Sequence, residues 1–206
     1  MSATGYLFVG TAEPEVVDRL RRTVPDTTFA PLAEDADLAW WRTMDDAALL
    51  APPDPRYTCP GPSEPAIRFV ETLDALRPDP AVLDTCLTAL AETPESEFFH
   101  VGVRKGDPVA ALYYGLGFAD ARRLPGRLGC FLLDADQVRS SLARIEHLPE
   151  CPLIGREKSK ARTAAWLSAV SDEPGLDPDV LLDEPLRILR LAHERSVGAI
   201  GLMQWY

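Results

Sequence analysis

The stretch whose reading decides the fold runs from Glu97 to Leu133: EFFHVGVRKGDPVAALYYGLGFADARRLPGRLGCFLL. Its first part alternates, with Phe99, Val101 and Val103 on one side and His100, Gly102 and Arg104 on the other. A period of two marks a half-buried strand. Lys105-Gly106-Asp107-Pro108 is turn chemistry, because glycine accepts positive φ and proline presets φ near −65°. A second apolar run follows, Val109 to Phe118. Two such runs around a glycine-containing turn predict a β-hairpin over about 98–118. An Arg- and Gly-rich loop then leads to the short run Cys130-Phe131-Leu132-Leu133.

Working outward, Gly5–Gly10 is an apolar run bounded by glycines and reads as a strand. Thr11 can cap the helix that follows, whose stripe is Val16, Val17 and Leu20. Thr27–Leu32 reads as a weak edge strand, because Pro31 lacks a ladder donor. Asp37–Thr43 reads as a strand or a helical turn, too short for periodicity to decide, and its adjacent Trp40 and Trp41 must point different ways on either. One belongs in the core, and the other can line a groove or interface with its apolar face and single N–H donor. Residues 52–65 hold six prolines, which excludes helix and central strand and marks a long loop or hinge.

Ser63 caps a helix with Ile67, Val70, Leu73 and Leu76 on its stripe, and Asp79-Pro80 starts another. Asp134 with Gln137 forms a capping box before Val138, Leu142 and Ile145. Arg156–Val170 is a further helix, Asp177-Pro178 and Asp183-Glu184-Pro185 look like two more starts, and Ala199–Tyr206 reads as a closing strand. The expectation is a single α+β domain over 1–206, a mixed or antiparallel central sheet flanked by about six helices.

The chain has 206 residues, 46% hydrophobic, and a formal charge of −11. No apolar run reaches the roughly 18 residues of a membrane span, and Met1–Gly5 shows no signal-peptide pattern. A soluble cytoplasmic protein is expected, with no membrane partner. The acidic total argues against nucleic-acid binding, which needs cationic surface. The charge is uneven: residues 1–96 sum to −10, 97–171 to +3 and 172–206 to −4. Cys59, Cys86, Cys130 and Cys151 lack the paired spacing of zinc sites, so four free thiols and no metal or cofactor are expected.

Four groups of residues could carry chemistry. Arg122, Arg123 and Arg127 surround Pro125-Gly126 and precede Gly129, and guanidinium groups beside free backbone N–H groups can hold a phosphate or carboxylate. Tyr113 and Tyr114 precede Gly115 and Gly117, and could line a pocket. Cys130 follows a basic loop and would need His100 as its base to act as a nucleophile. His147 and Cys151 are spaced as H-x3-C with no further ligand in view. The binding candidates are therefore Arg122, Arg123, Arg127, Tyr113, Tyr114, Trp40, Trp41 and His100, with no catalytic set.

The run Gly106–Phe118 resembles the hairpin of the N-acetyltransferase superfamily. That resemblance implies a coenzyme A loop of the form [RQ]-x-x-G-x-[GA], which would fall on Arg123–Leu128. Leu128 stands where Gly or Ala is required, so membership is not inferred. The expected function is non-enzymatic binding of a protein partner or small ligand. The alternative is an enzyme holding an anionic acyl or phosphorylated metabolite on the Arg122–Arg127 loop.

Overall fold

The structure is a computed structural model that describes residues 3–30, 40–43, 49–50, 62–146 and 154–206. Four strands form one antiparallel sheet: β1 (Thr4–Ala12), β2 (Phe98–Arg104), β3 (Phe131–Leu133) and β4 (Gly198–Trp205), in the order β2-β1-β4-β3. Eight α-helices are described: α1 (Pro14–Arg21), α2 (Glu64–Ala75), α3 (Pro80–Leu90), α4 (Pro108–Leu116), α5 (Phe118–Ala121), α6 (Ala135–Glu146), α7 (Ile154–Val170) and α8 (Pro178–Arg195). The fold is α+β with an antiparallel sheet.

The hairpin over 98–118 does not form. The first half is strand β2, but Val109 lies in helix α4, with Gly117 ending it and Phe118 opening α5. Asp107-Pro108 is a helix start and not a turn: Asp107 Oδ1 accepts from the Val109 and Ala110 amides at 2.8 and 3.0 Å, and Pro108 sits in the first turn. Every residue from Pro108 to Gly115 is buried, so the helix is apolar all round and shows no amphipathic period. The place beside β2 belongs instead to β1, in the register Thr4↔Arg104 through Gly10↔Phe98. The likeness to an acetyltransferase hairpin ends with the hairpin.

Other local readings hold. Ser63 Oγ accepts from Ala66 N at 3.2 Å, and Asp79 and Asp177 cap α3 and α8. Asp134 and Gln137 exchange the two capping-box bonds at 2.8 and 3.1 Å. Three differ. Thr11 stays in β1, and Glu13 takes the cap position of α1. Asp26–Phe29 is a 3-10 turn where a weak strand was expected, while Trp40–Thr43 takes the helical one of its two readings. Pro185 lies inside α8 and starts nothing. Pro31, residues 37–39 and most of the proline-rich loop, 52–61, fall outside the described residues, as do Cys59, His147 and Cys151.

One sheet face carries Leu7, Val9, Phe99, Val101 and Met203, all buried, and packs on α4 and α8. On the other face α3 covers Ile200 and Leu202, with Leu90 against Gly10. Among the described residues that face stays open beside β2, where the rings of Tyr6, Phe8, Phe98 and His100 lie nearly parallel with centroids 5.6–6.3 Å apart. Among the described residues no helix is long and apolar enough to cross a membrane.

Candidate functional site

The loop between α5 and β3 separates two cavities. It closes through a two-residue turn in which Arg127 N donates to Cys130 O and Cys130 N donates back, at 2.8 and 2.9 Å. Leu128 and Gly129 have φ of 52° and 77°, the paired positive φ of a type I′ turn. Gly129 is needed there, since a Cβ would sit 2.7 Å from Val109 Cγ2. Leu128 accepts a left-handed backbone, and its side chain is wholly buried.

On one side lies a cleft of about 870 Å³, framed by Arg21, by Val24, Pro25, Phe29 and Ala30, by Gly126 and Phe131–Leu133, and by one face of α6. The α6 face presents Gln137, Ser140, Ser141 and Arg144, positions three, four and seven apart that share one side of a helix. The opposite face of α6 buries Val138, Leu142 and Ile145. Arg21 is engaged, pairing with Asp134 at 2.8 Å and donating to Gln137 Oε1. Arg144 donates to Ser141 Oγ at 3.1 Å and has no carboxylate partner among the described residues. The cleft thus sets a guanidinium and two hydroxyls over an apolar wall of Phe29, Phe131 and Leu133.

On the other side is a crevice of about 90 Å³ lined by apolar side chains, among them Leu112, Leu116, Leu124, Leu181 and Leu186, with Pro125 and Gly129 of the loop. The loop's proline and glycines therefore wall both cavities. Its arginines go elsewhere. Arg122 lies over the Phe118 ring at 5.5 Å, Arg123 pairs with Asp120 at 3.8 Å, and Arg127 donates to the Leu76 carbonyl. Three separate partners hold the three arginines.

The aromatic candidates do come together, as core. Trp41 is buried against Phe69, Tyr113 and Phe118, with ring centroids 4.7, 6.3 and 5.4 Å away. Tyr114 packs on Trp166 at 5.0 Å beneath the Arg162 guanidinium. Burial pushes the Tyr113 hydroxyl above its usual pKa despite a backbone hydrogen bond with Leu128. Trp40 is half-buried, edge-on to Phe69 with Arg68 over its ring at 4.6 Å. His100 is exposed on the open sheet face. Cys130 is fully buried, accepting from Met203 N at 3.4 Å, and burial pushes its thiol up to about 11. The two are not brought together, and a thiol so shifted is a poor nucleophile.

Arg21 and Arg144 escaped the reading of the sequence as site residues. Arg21 lies in the last turn of α1, and Gln137 read as a capping partner. The available signal was the polar stripe Gln137, Ser140, Ser141 and Arg144, because serine in a helix interior is otherwise unfavourable. Comparison with protein families, characterised proteins and solved structures returns no match.

Proposed function

We propose that this chain is a non-enzymatic binding protein of the cytoplasm, and that its ligand is a small amphipathic anion held in the cleft between α1 and α6. One observation carries the reading: Arg144 faces a cleft of ligand size with only the Ser141 hydroxyl as its partner among the described residues. Small-molecule sites run from roughly 300 to 1,000 Å³, mostly apolar with a few placed polar groups. Phe29, Phe131 and Leu133 supply the apolar part, and Arg144, Ser140 and Ser141 the polar part. The net charge of −11 does not oppose this, since charges beyond about 8 Å are screened at physiological salt.

Binding is favoured over turnover because, among the described residues, Asp107 and the two cysteines have other work. Asp107 caps a helix, and Cys86 and Cys130 are buried thiols, each pushed up to about 11. An enzyme working through the Arg122–Arg127 loop would need those guanidinium groups on one ligand, and each has its own partner.

The test is calorimetric titration of small carboxylates and phosphate esters against wild type and Arg144→Ala, with native mass spectrometry of the protein purified from its own host. A co-purifying small mass is expected. Arg144→Ala should weaken binding about tenfold to a hundredfold, the worth of a charge-assisted hydrogen bond. Equal affinity for the variant, or a co-purifying protein in place of a small mass, would overturn the reading.

A further inference from the structure

We propose that the outer edge of β2 is an interface, and that its occupant is the β2 edge of a second copy of this chain, joined antiparallel into one eight-stranded sheet. The inference is independent of the cleft and rests on four observations.

Among the described residues β2 ends the sheet, with β1 its only strand neighbour. Lys105 N donates to Ala3 O at 2.8 Å, and the alternation of an antiparallel ladder then turns Val103, Val101 and Phe99 toward β1. The backbone donors and acceptors of Phe98, His100 and Gly102 face outward. Along the edge, Asp172 N reaches the Arg104 carbonyl at 2.9 Å, beyond the C-terminal side of this run.

The edge lacks the usual protection. Exposed strands are normally blunted by charge, proline or a bulge. Between Phe98 and Val103 there is no charged residue save a histidine, no proline and an unbroken register.

The flanks are self-complementary. Glu95 and Glu97 precede the strand, Glu97 also pairing with Arg195, and Arg104 and Lys105 end it, sharing Asp172 at 3.9 and 2.8 Å while more than half exposed. An antiparallel pair centred on His100 or on Val101 keeps opposed residues on one face. Either centre brings the acidic end of one copy to the basic end of the other. A parallel pair would oppose like charges.

The open face continues across the seam. Tyr6, Phe8, Phe98 and His100 stack beside the edge, and Tyr206 meets Tyr6 edge-on at 5.7 Å while 59% exposed. Pairing would extend this aromatic row into its symmetry mate and cover it from one side.

The test is sedimentation equilibrium of the full chain across a concentration series. His100→Pro removes an outward N–H that either centre needs and no bond to β1. It should raise the dimer dissociation constant at least tenfold with unchanged circular dichroism. Glu95→Lys and Lys105→Glu guard against misfolding. Each alone should weaken the dimer, and mixing the two should restore it in part, since one flank contact is then acidic against basic as in the wild type and the other is neutral against neutral. A wild type that is monomeric at every concentration would overturn the proposal. So would a dimer indifferent to His100→Pro, or charge variants that fail to recover on mixing.

Discussion

Arg77 and Asp107 lie thirty residues apart and form an ion pair whose side chains are 6% and 0% exposed. Asp107 uses one oxygen for the guanidinium and the other for the first amides of α4. Burial works to strip the Arg77 charge, but Asp107 outweighs it and holds the guanidinium above its usual pKa. Arg77 also pairs with Asp74 at 2.8 Å, and Asp74 accepts from the Trp205 indole at 3.1 Å. One network thus ties α2, the start of α4 and the end of β4 together.

Asp107→Asn keeps an acceptor for the cap and leaves Arg77 buried beside a neutral amide. Removing one partner of a buried pair costs about 3–5 kcal/mol, and Asp107→Ala should lose about 1 kcal/mol more with the cap. Urea unfolding followed by circular dichroism measures both. A loss below about 1 kcal/mol would place the pair with ordinary surface bridges.

Acid should weaken the junction of α1 and α6. Desolvation raises the Asp134 pKa, but the Gln137 amide and the Arg21 guanidinium lower it further, so the carboxyl sits below its usual value. A depressed folded-state pKa gives stability that is present above the unfolded value and lost as pH falls through the folded one. Asp134→Asn should therefore flatten the stability profile from the ordinary carboxylate range downward and leave its neutral limb unchanged in slope. A profile of the same steepness as wild type in acid would sink the assignment. The side chain is 39% exposed, so the effect is modest.

Cys86 and Cys130 are buried and both thiols are pushed up by desolvation. At neutral pH they should resist alkylation in the folded protein, while denatured protein should take four labels. Intact-mass measurement before and after denaturation counts them. Rapid native labelling at Cys130, located by peptide mapping, would contradict its burial.

α4 and α7 meet at Gly115, where an added Cβ would lie 1.9 Å from Thr163 Oγ1 and 3.1 Å from Ser159 O. Gly115→Ala must part the helices and should cost about 1–3 kcal/mol, the usual penalty of overpacking. Thr163 Oγ1 is buried without a hydrogen-bond partner, so Thr163→Ala should be close to neutral. The double variant should recover part of the loss in a thermal melt. An additive double would mean the two side chains do not meet.

Much of the local structure was legible in the residues. Ser63, Asp79, Asp177 and the pair Asp134–Gln137 announced helix starts because a cap is made within four residues of itself. The alternation from Phe98 to Arg104 announced a strand for the same reason. The α2 stripe was legible only approximately: Leu73 is buried as expected, but the helix turns Ala66 and Phe69 inward and leaves Ile67 43% exposed. The loop at 124–129 drew attention for arginines set beside glycines, and each of the three arginines has its own partner. Where a long guanidinium ends is settled by Phe118, Asp120 and the Leu76 carbonyl, two of which lie close in sequence and one far away.

By itself, then, the sequence determined the α+β class, the caps at Ser63, Asp79, Asp134 and Asp177, and the strands whose periodicity is local. The tertiary structure alone decided that Val109–Leu116 is a helix. A short, wholly apolar run has no period to read, and its backbone bonds close within a helix once β1 takes the place beside β2. The tertiary structure alone also decided the cleft, because Arg21 and Arg144 come to line one cavity only when Arg21 bonds to Asp134 and Gln137 at the start of α6.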